Sequence, residues 1–318
     1  MPDTMEFPRK PVLVLGASGF IGSRVVAALA SSPLYRPVAA SRRSAPAVDA
    51  TDPKAVSGAL REVDCVVNCI AGDNQTMLRS TRVLCDAARI SPPRRIVHIS
   101  SMAVYGAATG WIHEDTPPVA PVSSYGHAKV ECESIISKYV DDGGDAVILR
   151  PTCVFGAGSP QWNTRLAHLL KARRVGDLGG AGDGHCNLAF IDDVVAGILA
   201  AVEVPNLAGR VFNISSSADL TWNEFLVLFA KLLGATPVRR IAPRMLQIET
   251  KLLAPLLRAA AKVVRLPAVE AITPSLAALW RQDIQIDCSA AVATLMLPQT
   301  TVNQMLAATC RLQEPAFS

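Results

Sequence analysis

Pro11-Val12-Leu13-Val14-Leu15-Gly16-Ala17-Ser18-Gly19-Phe20-Ile21-Gly22 is the stretch that decides the fold. An apolar run of strand length leads into three glycines spaced three apart, and residues 23–30 continue as a helix. Such a backbone closes tightly around a pyrophosphate. Gly16 permits the turn, Gly19 lets the main chain approach the phosphates, and Gly22 lets the helix pack on the strand. The free N–H groups and positive end of that helix favour an anion. Strand, glycines and helix in this order predict a dinucleotide site built from Gly16, Ser18, Gly19, Phe20, Ile21 and Gly22.

The same rhythm extends through the first half of the chain. Strands are predicted at 38–40, 65–70, 96–99 and 146–149. Helices are predicted from Pro53, with Asp52 as N-cap, and at 75–89 and 124–140. Uniformly apolar strands separated by helices imply a parallel sheet covered on both faces, a doubly wound α/β fold. After Pro151 the pattern changes to a glycine-rich stretch at 156–184 around one helix at 163–174. Helix and strand return at 190–202 and 211–214, and mainly helix follows at 220–233, 252–264 and 289–308. The expected division is a nucleotide-binding domain over 1–160, rejoined at about 188–215, and a smaller, mainly helical substrate domain over 161–318.

Composition narrows the class. The chain has 318 residues and a net charge of +4, with arginine pairs dispersed along it, so no nucleic-acid footprint is expected. Mean hydropathy is +0.29, yet no membrane span is expected. The apolar stretch 252–266 is interrupted by Arg258, Lys262 and Arg265, and the run 194–202 is too short. The opening residues 1–10 lack the apolar core of a secretory signal. Eight scattered cysteines without a C-x-x-C pair fit a reduced, cytoplasmic setting, and the isolated histidines predict no metal site.

Two further segments supply reactive groups. Ser124-Tyr125-Gly126-His127-Ala128-Lys129 opens a helix and puts Tyr125 and Lys129 on one face. An ammonium and an oxidised nicotinamide near a phenol are expected to bring its pKa down toward the working range. His98-Ile99-Ser100-Ser101-Met102-Ala103-Val104-Tyr105-Gly106 leaves the end of a strand, where ligands sit in such folds.

With these motifs in view, the chain resembles the extended short-chain dehydrogenase/reductases, the group of NAD-dependent epimerase/dehydratase proteins. The matching segments are Gly16–Gly22, Ser100-Ser101 with Val104-Tyr105-Gly106, and the Tyr125/Lys129 pair. Arg150-Pro151-Thr152-Cys153-Val154-Phe155-Gly156, Gly182-Asp183-Gly184 and Phe190-Ile191-Asp192-Asp193-Val194 complete the match. The resemblance implies Ser101 as the catalytic hydroxyl, Tyr125 as acid/base, and Lys129 as ribose ligand and tuner of Tyr125. It also implies Asp49 and Ala50 near the adenine, with Ala71, Gly72, Cys153 and Val154 lining the cofactor. At the end of the second strand, relatives selective for NAD place an acid. Ser41-Arg42-Arg43 stands there instead, which suits a 2′-phosphate and predicts NADP(H) as preferred cofactor, with NAD(H) possible.

Departures from the family pattern bear on the reaction. Met102 and Ala103 follow Ser101 where dehydratases place acids, so dehydration is not expected. Cys153 occupies the usual position of an asparagine in sugar-nucleotide epimerases, and no arginine stands at Cys186 or Asn187 to grip a diphosphate. Met77 stands where relatives commonly have asparagine. The expected activity is hydride transfer between NADP(H) and a ketone or secondary alcohol. The alternatives are a nucleotide-sugar epimerase that retains NAD and a non-catalytic NADPH-sensing protein. Candidate substrate contacts are Asn163, Arg165 and His185, and Trp162 and Trp222 are available for stacking or for packing. The partner is a small molecule. A homodimer is expected through the helices at 75–89 and 124–140, where Leu78, Val83, Ile135 and Ile136 face either a second copy or the chain's own sheet.

Overall fold

The computed structural model describes residues 9–44, 47–91, 93–119, 121, 123–216, 220–253 and 272–311. From residue 254 onward, the helix expected over 252–264 and its basic residues Arg258, Lys262 and Arg265 lie outside the described residues, as do residues 1–8.

Six parallel strands form the main sheet. They are β1 (Lys10–Leu15), β2 (Tyr35–Ala40), β3 (Cys65–Asn68), β4 (Arg95–Ile99), β6 (Ala146–Pro151) and β9 (Val211–Ile214), in the order β2-β1-β3-β4-β6-β9. The chain steps from β1 to β2 on one side, then crosses back to place β3 on the other. The crevice between the carboxyl ends of β1 and β3 is therefore the topological switch point. Helices α1 (Phe20–Ser31), α2 (Pro53–Leu60), α3 (Asn74–Ile90), α4 (Ser124–Asp141) and α6 (Ile191–Glu203) cover the two faces. This is a doubly wound α/β fold.

Period-2 alternation within continuously apolar strands explains the double cover. Val12 and Val14 of β1 pack with Val25 and Leu29 of α1 and Ile198 of α6. Leu13 and Leu15 point the other way, to Val56 and Leu60 of α2, Leu84 of α3 and Ile136 of α4. Asp52 caps α2 by accepting from the Lys54 N–H at 2.9 Å, with Pro53 at the first helical position.

Outside the main sheet, β7 (Cys153–Phe155) pairs with β8 (Leu188–Phe190), and β5 (Gly110–Ile112) pairs with β10 (Ile284–Ile286). The helix expected at 163–174 is shorter. A π-turn at Pro160–Thr164 leads into α5 (Arg165–Lys171). Helix α7 (Trp222–Leu232) opens with a capping box between Thr221 and Glu224. Helix α8 (Pro243–Ile248) and helix α9 (Pro274–Arg281) flank the stretch outside the described residues. The single helix expected at 289–308 is two, α10 (Ser289–Leu295) and α11 (Val302–Arg311). Met296 adopts a left-handed conformation, φ 52°, and ends α10, and Pro298 follows.

Ile136 is wholly buried, and Val83, Ile135 and Leu78 are half-buried against the chain's own core. These side chains serve the monomer first. Among the described residues no helix is long and apolar enough to cross a membrane, and no cluster has the makings of a metal site.

The glycine loop is fixed by contact. Gly16 has φ 78°, and a Cβ there would lie 2.9 Å from the Cys69 carbonyl group. A Cβ on Gly22 would lie 2.3 Å from the Gly16 carbonyl oxygen, so loop and helix touch backbone to backbone. Gly58 in α2 has nothing within 4 Å of such an atom. Gly22→Ala should therefore cost about 1–3 kcal/mol by overpacking, whereas Gly58→Ala should gain about 0.5–1 kcal/mol. Urea denaturation of the two variants checks the opposite signs.

Candidate active site

A cavity of about 620 Å³ opens at the carboxyl edge of the sheet. Its floor includes Phe20 and Ile21 from the start of α1, Ala71 beyond β3, and Ser101 beyond β4. Tyr125 and Lys129 of α4 and Cys153 and Val154 of β7 complete that side. The structure thus gathers into one wall residues that the sequence places far apart.

Helix α1 begins at the cavity with Gly19 as N-cap. It has no side-chain cap and no acid in its first turn, so its leading N–H groups face outward without an internal acceptor. Together with the backbone contact at Gly22, this fits a pyrophosphate held by main chain. The turn Ser41-Arg42-Arg43 follows β2 directly. Ser41 Oγ accepts from the Arg43 N–H at 3.1 Å, and both arginines are exposed. Asp49, also exposed, accepts from the N–H and hydroxyl of Thr51 at 2.9 and 2.8 Å. Those two bonds, with the Arg42 charge adding to them, hold its carboxyl below the usual range. Ala50 is half-buried beside it, and Gly72, φ 145°, sits in open space beyond Ala71.

Ser101 caps a 3₁₀ turn, Met102–Tyr105, its hydroxyl accepting from the Ala103 N–H at 3.2 Å. Ser101 stands near the Tyr125 phenol and acts to lower its pKa. Lys129 lies beneath, 2% exposed, with Nζ donating to the Ile99 carbonyl at 2.7 Å and standing 5.8 Å from the centroid of the Tyr125 ring. The expected lowering of the phenol by this ammonium is not what the polypeptide alone produces. Loss of water around its hydroxyl raises the Tyr125 phenol above its ordinary value although the residue as a whole is 37% exposed, and nearby Ser101 opposes that rise. Burial likewise pushes the Lys129 ammonium below its ordinary value. Nζ is committed to a backbone carbonyl, and desolvation outweighs any help it gives the phenolate.

A buried layer that sequence reading missed supports these groups. Glu133 is one turn beyond Lys129, on the same face of α4. It accepts two bonds from Arg150 of β6 at 3.0 and 2.7 Å. Arg150 also donates to the Tyr105 hydroxyl and to the Glu114 carbonyl, and Tyr105 donates to Asn213 of β9 at 2.6 Å. Burial alone would lower the guanidinium pKa, but the Glu133 carboxylate more than compensates and raises it. On the neighbouring strands the Asn68 amide donates to His98 Nδ1 at 3.1 Å. His98 Nε2 and Ser100 Oγ are buried without a hydrogen-bond partner. The 3.6-residue spacing of Tyr125, Lys129 and Glu133 is the one sequence signal that pointed to this layer. Met77, in the position of the relatives' asparagine, packs with Ala128 and Cys132 between α3 and α4.

The substrate candidates are placed differently. Asn163 is fully buried, Arg165 donates to Gln161 at 2.8 Å, and His185 pairs with Asp283 at 2.9 Å. None of the three is in the cavity wall, which is completed by Trp162, Leu276, Leu279, Gln282 and Ile284. Trp162 stacks on Trp222 with centroids 5.5 Å apart, so Trp222 packs behind the wall. The described cysteines are free thiols.

A family model for the NAD dependent epimerase/dehydratase family matches residues 12–215. Over 240 residues the chain is 26% identical to the dTDP-4-keto-6-deoxy-D-glucose reductase of Streptomyces niveus, which covers 71% of this chain and 80% of that protein. It is 26% identical over 242 residues to the UDP-glucose 4-epimerase of Vibrio cholerae, covering 68% and 74%. The structure of UDP-glucuronic acid 4-epimerase from Bacillus cereus in complex with NAD superposes with a TM-score of 0.70 at 22% identity. It covers 94% of this chain and 95% of that one, and at this identity the likeness is one of fold.

Burial holds the His98 imidazole down to about 3, with the Lys129 charge adding to the effect. The unfolded imidazole, near its ordinary value of about 6.5, binds a proton that the folded one refuses. Stability should therefore rise between pH 3 and 6.5, with this contribution fully present above that window and on the order of a few kcal/mol. Urea midpoints across that range should climb less steeply for His98→Asn, whose Oδ1 replaces Nδ1 as acceptor.

Proposed function

The chain belongs to the NAD-dependent epimerase/dehydratase family, and on that footing we propose that it transfers a hydride between NADP(H) and a ketone or secondary alcohol, with Tyr125 moving the proton. The observation that carries this reading is that Ser101, Tyr125 and Lys129 line one cavity together with the glycine-loop residues Phe20 and Ile21.

A bound nicotinamide would supply or accept the hydride. The polypeptide does the rest. Ser101 donates a hydrogen bond to the substrate oxygen, and Tyr125 donates its proton to that oxygen as the alcohol forms. A phenol held above its usual pKa remains protonated at neutral pH, which suits the reducing direction. Lys129 has N–H groups beyond the one bound to Ile99, and these serve the cofactor ribose. Gly16, Ser18, Gly19 and Gly22 hold the pyrophosphate. Asp49, Ala50, Ala71 and Gly72 border the adenine side, and Cys153 and Val154 border the nicotinamide. In this reading the nucleotide-binding domain, over 1–160 with the returning segment 188–215, holds the cofactor, and the remainder of 161–318 faces the substrate.

Two features favour reduction over the reactions of other family members. Among the described residues, no carboxylate lines the cavity, so there is no second acid to assist loss of water. Ser41, Arg42 and Arg43 offer a hydroxyl and two guanidinium groups in the place of a ribose-binding acid, which supports NADP(H).

Tyr125→Phe should lower NADPH-dependent ketone reduction by about 10²–10⁴-fold while leaving the Kd for NADPH essentially unchanged. Arg42→Asp should weaken NADPH about tenfold or more relative to NADH. Stopped-flow turnover and fluorescence titration of each cofactor check both. Full activity in Tyr125→Phe, or product formed without stoichiometric loss of NADPH absorbance, would refute the reductase reading.

A further inference from the structure

The cavity wall carries a charge and hydrogen-bond pattern that narrows the substrate. Resting on the hydride-transfer reading above, we propose that the substrate is an uncharged molecule with one reactive oxygen and an apolar, ring-containing body, rather than a nucleotide diphosphate sugar.

The first argument is charge. Lys129 is the one cationic side chain among the described residues that line the cavity, and it is bound to the Ile99 carbonyl. The guanidinium groups at its border are already engaged. Arg24 donates to the Ala157 carbonyl at 2.6 Å and covers the Phe20 ring, and Arg165 is bonded to Gln161. A second diphosphate, brought here beside the cofactor's, would lose water without gaining paired cations from the described residues, which is strongly unfavourable.

The second argument is hydrogen-bonding capacity. Polar groups in the wall largely satisfy one another or the backbone. Ser159 donates to the Val154 carbonyl and accepts from the Trp162 N–H. Gln282 donates to the carbonyls of Gly106 and Ala108 at 2.7 and 2.9 Å. Thr273 is bonded to Ser275 and to the Leu276 N–H. Ser100 Oγ is unpaired but fully buried beneath the wall, and the Ser101 and Tyr125 hydroxyls remain to receive a substrate oxygen. A nucleotide sugar presents many hydroxyls and would leave most of them unmatched.

The third argument is shape. Trp162 is backed by Trp222, which in turn meets Phe225 edge-on at 6.1 Å. This rigid aromatic wall, with Leu276 and Leu279, suits a flat or fused-ring hydrocarbon body.

The test uses the full-length protein saturated with NADPH, with 2-tetralone as the uncharged ring ketone and UDP as the diphosphate probe. Cofactor fluorescence first establishes that NADPH is bound. The expected result is saturable NADPH oxidation by 2-tetralone and no binding or inhibition by millimolar UDP. Trp162→Ala should raise KM for 2-tetralone about tenfold, with Trp162→Phe recovering most of it. Leu279→Arg, which puts a cation at the wall, should weaken 2-tetralone and bring in UDP affinity. Submillimolar UDP binding to the unsubstituted NADPH complex, or no saturable response to 2-tetralone, would overturn the substrate class while leaving the hydride-transfer reading in place. Failure of NADPH itself to bind removes that reading and this inference together.

Discussion

The Arg150–Glu133 ion pair fixes how helix α4 lies on the sheet. Both partners are buried and meet through two bonds, a geometry in which a broken pair leaves an uncompensated charge inside the protein. Helix α4 therefore has little freedom to roll or slide. Two turns toward its N-terminus, that constraint becomes the position of Tyr125, and one turn away it becomes the position of Lys129. Through Tyr105 and Asn213 the same arginine ties the turn that bears Ser101 to β9. The reactive hydroxyls thus belong to two segments anchored on one guanidinium.

Electrostatics at this edge follows from burial more than from pairwise attraction. Lys129, His98 and Tyr125 are each displaced toward their neutral forms by loss of water. Orphaned polar atoms at His98 and Ser100 lie at the same end of β4. Here local satisfaction is given up, whereas other buried polar side chains of the sheet, Arg95, Arg150 and Asn213, are fully hydrogen-bonded.

Much of this was legible in the chain. Val12–Leu15, Cys65–Val67 and Ala146–Leu149 are apolar without alternation, as a strand buried on both sides requires. Glycine spacing identified the contacts at Gly16 and Gly22 because no other residue fits them. Asp52-Pro53 marked a helix start by capping chemistry. Other features were hidden for physical reasons. The left-handed turn at Met296 has no strong sequence mark, and Pro298, two residues on, was the signal that a helix over 289–308 would break. Leu276, Leu279 and Gln282 reach the cavity across more than a hundred residues of chain, and no local pattern encodes such closure. The sign of the Tyr125 shift depends on how much water the fold removes, which spacing on a helix does not contain.

The glycine loop and the turn after β2 differ in what they touch. Gly16 and Gly22 are wedged against backbone, so neither tolerates a side chain without displacing β1 or α1. The Ser41–Ser44 turn closes on itself through the Ser44 hydroxyl, with both arginines projecting into solvent. Substitutions at this solvent-facing bend can accordingly accumulate without rebuilding the core, while the glycine loop stays frozen.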